Sequence, residues 1–227
     1  MTGAATIHSA LDDFLVWTRL TNDGPAFTAA CEVVDHLRAC CNAYGPDALP
    51  EAERVAFNAS SGGADFCAHL GPERIIANLQ FFLDFYMVRN VVTSTDVLAA
   101  TGTVIALLAS WLEDNRYAEP ELARLVRRQG TFSASALPRA ERMATLLTDL
   151  ASAATRDPAV ETTEGFLPIT DVGDDALWLD DVGPVAVGAQ IAALARPGWI
   201  VSIVLACVDG TWTVYDVGNV YPRMDSG

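Results

Sequence analysis

The residues best able to bind a metal are two histidines and two cysteines in the first third of the chain. His36 and Cys40 stand four apart and so share one face of a helix. Cys67 and His69, two apart, would complete a Cys2His2 zinc set of soft thiolate and borderline imidazole donors. Their spacing matches no standard finger. Cys40 and Cys41 are neighbours and offer a strained vicinal disulfide as a redox alternative. Asp174-Asp175 and Asp180-Asp181 are paired carboxylates of the kind that hold Ca²⁺ or Mg²⁺. They sit at the two ends of one short strand, about 15 to 20 Å apart at the usual rise per residue. A single site from all four would need a sharp fold-back. Small buried thiols and solvated strand ends are the plainer expectations, and no cofactor is expected.

Arginine supplies the second kind of chemistry. Arg124, Arg127 and Arg128 share one side of a helical segment, with Arg116, Arg139 and Arg142 close by in sequence. Residues 116–142 hold these six arginines against Glu119, Glu121 and Glu141, a local balance of +3. Guanidinium forks suit phosphate or carboxylate, so Arg116–Arg142 is where an anionic partner or nucleic acid would bind. Pairing with neighbouring acids is the competing expectation. Aromatic side chains supply a third, a recognition groove formed by Trp178, Trp212 and Tyr215, although most aromatics in so small a module fill its core. No nucleophile elbow, phosphate-binding glycine loop or dinucleotide fingerprint occurs. All three histidines, His8, His36 and His69, precede residue 70. No constellation amounts to a catalytic centre, and a metal-dependent enzyme is the weakest of three readings.

The elements that would position these residues change type near residue 160. Before it, the spacing predicts helices. Leu11, Phe14, Leu15 and Thr18 form one face behind Ser9 or Asp12, and Pro25 opens a second helix with the stripe Phe27, Cys31, Val34, Leu37, Cys41 and Tyr44. To bind a metal, His36 and Cys40 would have to turn away from that stripe. Gly45-Pro46 ends it, and Pro50 opens a shorter helix that runs out at Ser60–Gly63. Gly71-Pro72-Glu73 starts a helix bearing Ile75 to Met87. Thr93–Asp96 caps the next, which runs from Val97 to about Asn115. Two shorter amphipathic helices, Glu119–Gln129 and Ala136–Thr155, follow.

Beyond the change, Glu164–Val172, Ala176–Leu179 and Gly183–Val187 read as strands, and Gln190–Ala195 as two helical turns. Two β-branched and aromatic runs then flank Asp209-Gly210, a dipeptide that accepts the positive φ angles of a two-residue hairpin turn. Val217–Pro222 closes the module. The fold class read from this pattern is α+β: a helical domain over 1–160 and a small SH3-like β-barrel over 161–227.

Composition bounds the function. Hydrophobic residues make up 51% of the 227, which is ample for a core and argues against disorder. The longest unbroken apolar runs fall short of the ~20 residues that span a bilayer, and the first residues lack the order of a secretory signal, so a cytoplasmic protein without a membrane partner is expected. The formal charge is −15, from 29 acids and 14 basic residues, all of them arginine. Residues 161–227 hold ten acids and two arginines (−8), and residues 1–160 hold nineteen and twelve (−7). Such a balance opposes unspecific nucleic-acid binding and favours a basic partner. Five cysteines without an export signal are expected to be reduced.

Two sets of stretches carry a resemblance. Asn78–Ser94 with Trp111–Tyr117, and Gly183–Val187 with Gly198-Trp199 and Val217–Pro222, together resemble an uncharacterised prokaryotic family with a helical front and a small β-domain behind. The likeness covers the chain from about residue 75 onward. The helical stretch is also similar to the SAM-like core-binding domain of tyrosine recombinases, whose helices pack on DNA. This chain departs from that pattern, having no lysine and no catalytic Arg/His/Tyr domain behind. The resemblance implies no known activity and carries over no functional residue. The expected function is therefore a non-enzymatic interaction or adaptor protein with an unidentified protein partner and a possible homo-oligomer. Nucleic-acid association and metal-dependent catalysis are the alternatives.

Overall fold

The computed structural model describes residues 5–21, 24–61, 65–153 and 161–224. It is a mixed α+β protein, with helices first and a five-stranded sheet last. Two compact units divide at Ala134/Ser135, ahead of the change from helix to strand.

In the first unit, α1 (Ile7–Thr21) starts two residues before Ser9. The reason is a reciprocal cap: Thr6 Oγ1 accepts from the Ser9 amide at 3.2 Å, and Ser9 Oγ accepts from the Thr6 amide at 2.9 Å. Helix α2 (Gly24–Tyr44) has Pro25 in its first turn and gives way to a 3-10 turn over Gly45–Ala48. Its buried face is Ala30, Val33, Val34, Leu37, Cys40 and Cys41. Cys40 thus lies in the core, as expected of a small buried thiol and opposite to the outward turn that metal binding would require. The expected stripe ran through Phe27 and Cys31, but the small Ala30 lets a neighbouring helix cover a face rotated from theirs, leaving those two half-buried.

Short elements follow: α3 (Glu51–Ser61), a single turn α4 (Phe66–His69), and a helix begun as α5 (Ile75–Phe81), widened to π geometry over Phe82–Tyr86 and finished as α6 (Met87–Asn90). Helix α7 (Thr95–Asp114) is capped by Ser94, whose hydroxyl accepts from the Val97 amide at 3.3 Å. It is long and apolar enough to cross a membrane by length and composition, with 56% of its apolar window buried inside the protein. A search for unbroken apolar runs overlooks it because Thr101, Gly102 and Thr103 interrupt the run without adding charge.

Helix α8 (Pro120–Ala153) is one helix of 34 residues where two were expected, and Pro138 lies inside it. The separating signals, Gly130 and Ser133, are themselves on the buried face. Ala123, Val126, Gln129, Gly130, Ser133, Leu137 and Ala140 continue one stripe at helical spacing. Gly130 is also a packing device, since a Cβ there would meet Gly102 O at 2.6 Å. The close crossing of α7 and the front of α8 requires both glycines.

In the second unit, strands β1 (Glu161–Val172), β2 (Ala176–Leu179), β3 (Val182–Ala186), β4 (Ile200–Val208) and β5 (Thr211–Tyr221) pair in the closed order β1-β2-β3-β5-β4. All ladders are antiparallel except a single parallel pairing of Val185 with Trp212. Asp209 and Gly210 take φ of 50° and 77°, the hairpin geometry the dipeptide predicted. Val217–Tyr221 is the far end of β5, reached through one register shift after Val214 and containing a second between Val217 and Val220, rather than a separate closing segment. The short helix α9 (Ala189–Leu194) precedes β4, and Arg139 Nε donates to the carbonyl of Leu194 at 2.6 Å.

Candidate functional site

The four candidate metal ligands, His36, Cys40, Cys67 and His69, do not converge. Among the described residues no group of three or more His, Cys, Asp and Glu side chains could hold a metal ion. His36 is half-buried along α2. His69 is exposed, with Nδ1 3.0 Å from the carbonyl of Asp65 and its ring edge against Phe57. Only Cys40 and Cys67 are neighbours, and their new companion is Cys41 rather than a histidine. The three thiols form a cluster where α2 meets α4. Gly45 allows the approach, since a Cβ there would sit 2.6 Å from the Phe66 ring. Cys67 is fixed by its amide, which donates to Asn42 Oδ1 at 2.9 Å, and its Sγ lies 3.8 Å from the carbonyl of Arg38.

The environment splits the thiols. Burial pushes Cys40 up to about 12, with Cys67 adding to it. Cys41 donates a hydrogen bond to Cys67, which holds the Cys41 thiol well above its ordinary value, and burial acts the same way. The same bond draws Cys67 below it, aided by Arg38 against the opposing effects of burial and Asp65. The Arg38 guanidinium pairs with Asp12 and, at 3.3 Å, with Asp35, while its buried Nε has no hydrogen-bond partner.

Two of the six arginines of the segment pair with acids among the described residues. Arg124 lies 3.1 Å from Glu121, Arg127 pairs with Glu113, and Arg128 is exposed. Arg139 is spent on the carbonyls of Ala193 and Leu194, where burial and the nearby Arg196 lower its pKa. Trp178, Trp212 and Tyr215 are half-buried. Trp178 lies over Gly183, whose Cβ would meet its ring at 2.8 Å, and over Gly173. Trp212 stands opposite Cys207 and Val185 in the ladders. None of Trp178, Trp212 and Tyr215 lines the small cleft of about 240 Å³ between β4 and β5, which is bounded by Ser202–Val204 and Asp216–Gly218. The paired aspartates are exposed at separate turns, with Asp180 at φ 54° and the Asp175 carbonyl accepting from the Val187 and Gly188 amides.

A site that spacing did not announce lies between α1, α2 and α7. It is an apolar cleft of about 360 Å³, within the size range of binding sites. Phe14, Thr18, Ala30 and Val104 form its buried floor, while Ala26 and Thr103 stand exposed at its rim. Five of its ten lining residues are alanine. Their short side chains hold the helix surfaces back from one another and leave the space open. Thr18 Oγ1 donates to the Phe14 carbonyl at 2.9 Å, so the floor offers no free donor. The cleft can bind apolar matter and has no group for acid–base or nucleophilic chemistry. The signal was present as Ala26-x-x-Ala29-Ala30 and Ala99-Ala100, which reads as core filler until the helices are placed.

No protein-family model, curated protein or solved structure matches this chain. Its function is therefore argued from this cleft and from the net charge of the chain.

Proposed function

We propose that this protein is a non-enzymatic interaction protein whose helical unit receives an amphipathic helix of another protein in the α1–α2–α7 cleft. The observation that carries the reading is the open apolar cleft lined by alanines, which matches a helix-in-groove site where a ridge of larger side chains enters between small ones. The chain's charge of −15 specifies the partner further: the polar flanks of the entering helix are basic. The unburied share of α7 supports the same reading, because α7 supplies half of the lining residues, Ala99, Ala100, Thr103, Val104 and Leu107. The five-stranded ring is read as an SH3-like barrel, an architecture compatible with a second binding surface. That comparison is one of architecture alone.

The test is affinity capture from the native lysate with the wild-type chain and with Thr103→Trp, which places a large ring at the mouth of the cleft without entering the core. A basic protein held by the wild type, lost with the variant and retained after nuclease treatment supports the reading. Partners insensitive to Thr103→Trp overturn it. Partners lost on nuclease treatment would move the assignment to Arg116–Arg142 and nucleic acid. The triple substitution of Arg124, Arg127 and Arg128 by alanine would then abolish a binding that falls steeply with salt.

A further inference from the structure

We infer that the outer face of β4 is a binding site for an arginine side chain of a partner protein, held between the carboxylates of Glu164 and Asp216. The registers of the sheet put the site together. Val204 pairs with Glu164 of β1 on one side and with Asp216 of β5 on the other, and residues paired across antiparallel strands present their side chains on the same face. That face is the outward one. Leu167, Ile203 and Leu205 of the alternate set are buried, while Glu164 and Asp216 are exposed and Val204 is half-buried. In the next row Phe166 pairs with Ser202, and its ring is 58% exposed while leaning on Tyr221 at 5.7 Å between centroids. Gly218 lies beside Ser202, where a Cβ would come 3.1 Å from Ser202 Oγ. Its φ is not positive, so conformation does not demand glycine there. What the missing side chain leaves is the cleft of about 240 Å³ bounded by Ser202–Val204 and Asp216–Gly218.

The chemistry of this face fits one kind of group. Neither carboxylate takes part in an ion pair found among the described residues. Arg196, one of the two arginines beyond residue 160, is spent on the carbonyls of Ala193 and Ala195. Asp216 Oδ1 accepts from the Val217 amide at 2.8 Å, which orients the carboxylate and leaves its second oxygen to a ligand. With β4 between them, the two carboxylate-bearing strands run about 9–10 Å apart. A bound Ca²⁺ would need oxygens within ~5 Å of each other. A guanidinium carries donors on two edges and, with a hydrogen bond at each, bridges most of the wider gap, which a compact ammonium cannot. Val204 offers apolar contact to the methylenes of the entering side chain, and the Phe166 ring offers a face for the guanidinium plane. The balance of −8 over residues 161–227 draws such a cation toward this face. The site is built from β1, β4 and β5 alone and does not depend on the α1–α2–α7 cleft.

The probe is N-acetyl-arginine amide, titrated into the isotopically labelled full chain and followed through backbone amide shifts in nuclear magnetic resonance. We expect saturable shifts centred on Glu164, Ser202, Val204 and Gly218, weakened as sodium chloride is raised. The citrulline analogue, of the same length but uncharged, should leave these amides in place. Glu164→Gln combined with Asp216→Asn keeps both side-chain shapes and should abolish the response, and Gly218→Leu should do so by filling the cleft. Asp174→Asn with Asp175→Asn removes carboxylates at a separate turn and should leave the response intact, as should Thr103→Trp. Equal shifts with citrulline, shifts spread evenly over the acidic residues of the chain, no saturable shift, or a response that survives Glu164→Gln with Asp216→Asn overturns the inference. The comparison of arginine with citrulline needs only the wild-type chain, so it decides the matter even where a variant fails to fold.

Discussion

A single methyl group measures how tightly the helical unit is packed. A Cβ on Gly102 would fall 2.2 Å from the Ala134 amide nitrogen and 2.3 Å from the Gly130 carbonyl, and backbone cannot step aside as a flexible side chain can. Gly102→Ala is expected to cost about 1–3 kcal/mol or more, read as a lowered denaturant midpoint. The thiols give a second residue-scale expectation. Unfolded chain releases the Cys40 proton near the ordinary thiol value of 9.0, while folded protein holds it to about 12. Between those values the unfolded state binds fewer protons, so stability falls as pH rises, by up to ~1.4 kcal/mol per pH unit for one thiol. Cys41 acts in the same direction. Cys67, with its pKa lowered, acts in the opposite sense: its contribution is present above the unfolded value and lost as pH falls through the folded one. Urea midpoints measured from pH 8 to 11 should therefore decline above pH 9, and the decline should be shallower in Cys40→Ala. An unchanged slope would mean that Cys40 is not protected from ionising.

At the scale of elements, α8 is the most revealing. Its burial stripe runs through Gly130 and Ser133 without a break, so packing of small residues carries the helix across a segment whose propensities favour stopping. Pro138 has no amide hydrogen to donate to the preceding turn and is half-buried. Pro138→Ala restores that bond and is expected to raise stability by roughly 1–3 kcal/mol, seen as an upward shift of the thermal midpoint. Ser94 is the reverse case. Its hydroxyl accepts from the Val97 amide, and Ser94→Ala should cost about 1 kcal/mol by freeing that donor at the start of α7. The π-helical stretch Phe82–Tyr86 brings Asp84 within 2.6 Å of Gln129 of α8, a half-buried polar contact that ties the two helices together.

For the whole molecule the governing quantity is charge. With 29 acids against 14 arginines, the folded chain repels itself more than the expanded one does, and added salt screens that repulsion. The thermal midpoint is expected to rise as sodium chloride is raised from about 10 mM to 1 M. A midpoint that fell across that range would mean that ion pairs such as Arg74–Glu53 and Arg127–Glu113 outweigh the net repulsion.

The sequence by itself determined the order of architectures, the hairpin at Asp209-Gly210, the end of α2 at Gly45 and a cap for α7 within Thr93–Asp96, which the structure places on Ser94. In each case the physics is local, set by a φ angle, a missing amide hydrogen or a hydroxyl three residues from its donor. Helix phase was less legible. Hydrophobicity alone set the face of α2 on Phe27 and Cys31 and split α8, because alanine, glycine and serine carry little hydropathy yet occupy the closest helix crossings. Only the tertiary structure decided which chemistry-bearing residues meet. It dispersed His36 and His69, paired Arg124 and Arg127 with acids, set Cys41 beside Cys67 and opened the cleft between α1, α2 and α7. Contacts between segments distant in the chain depend on helix phase and crossing, and no residue's local preference encodes those.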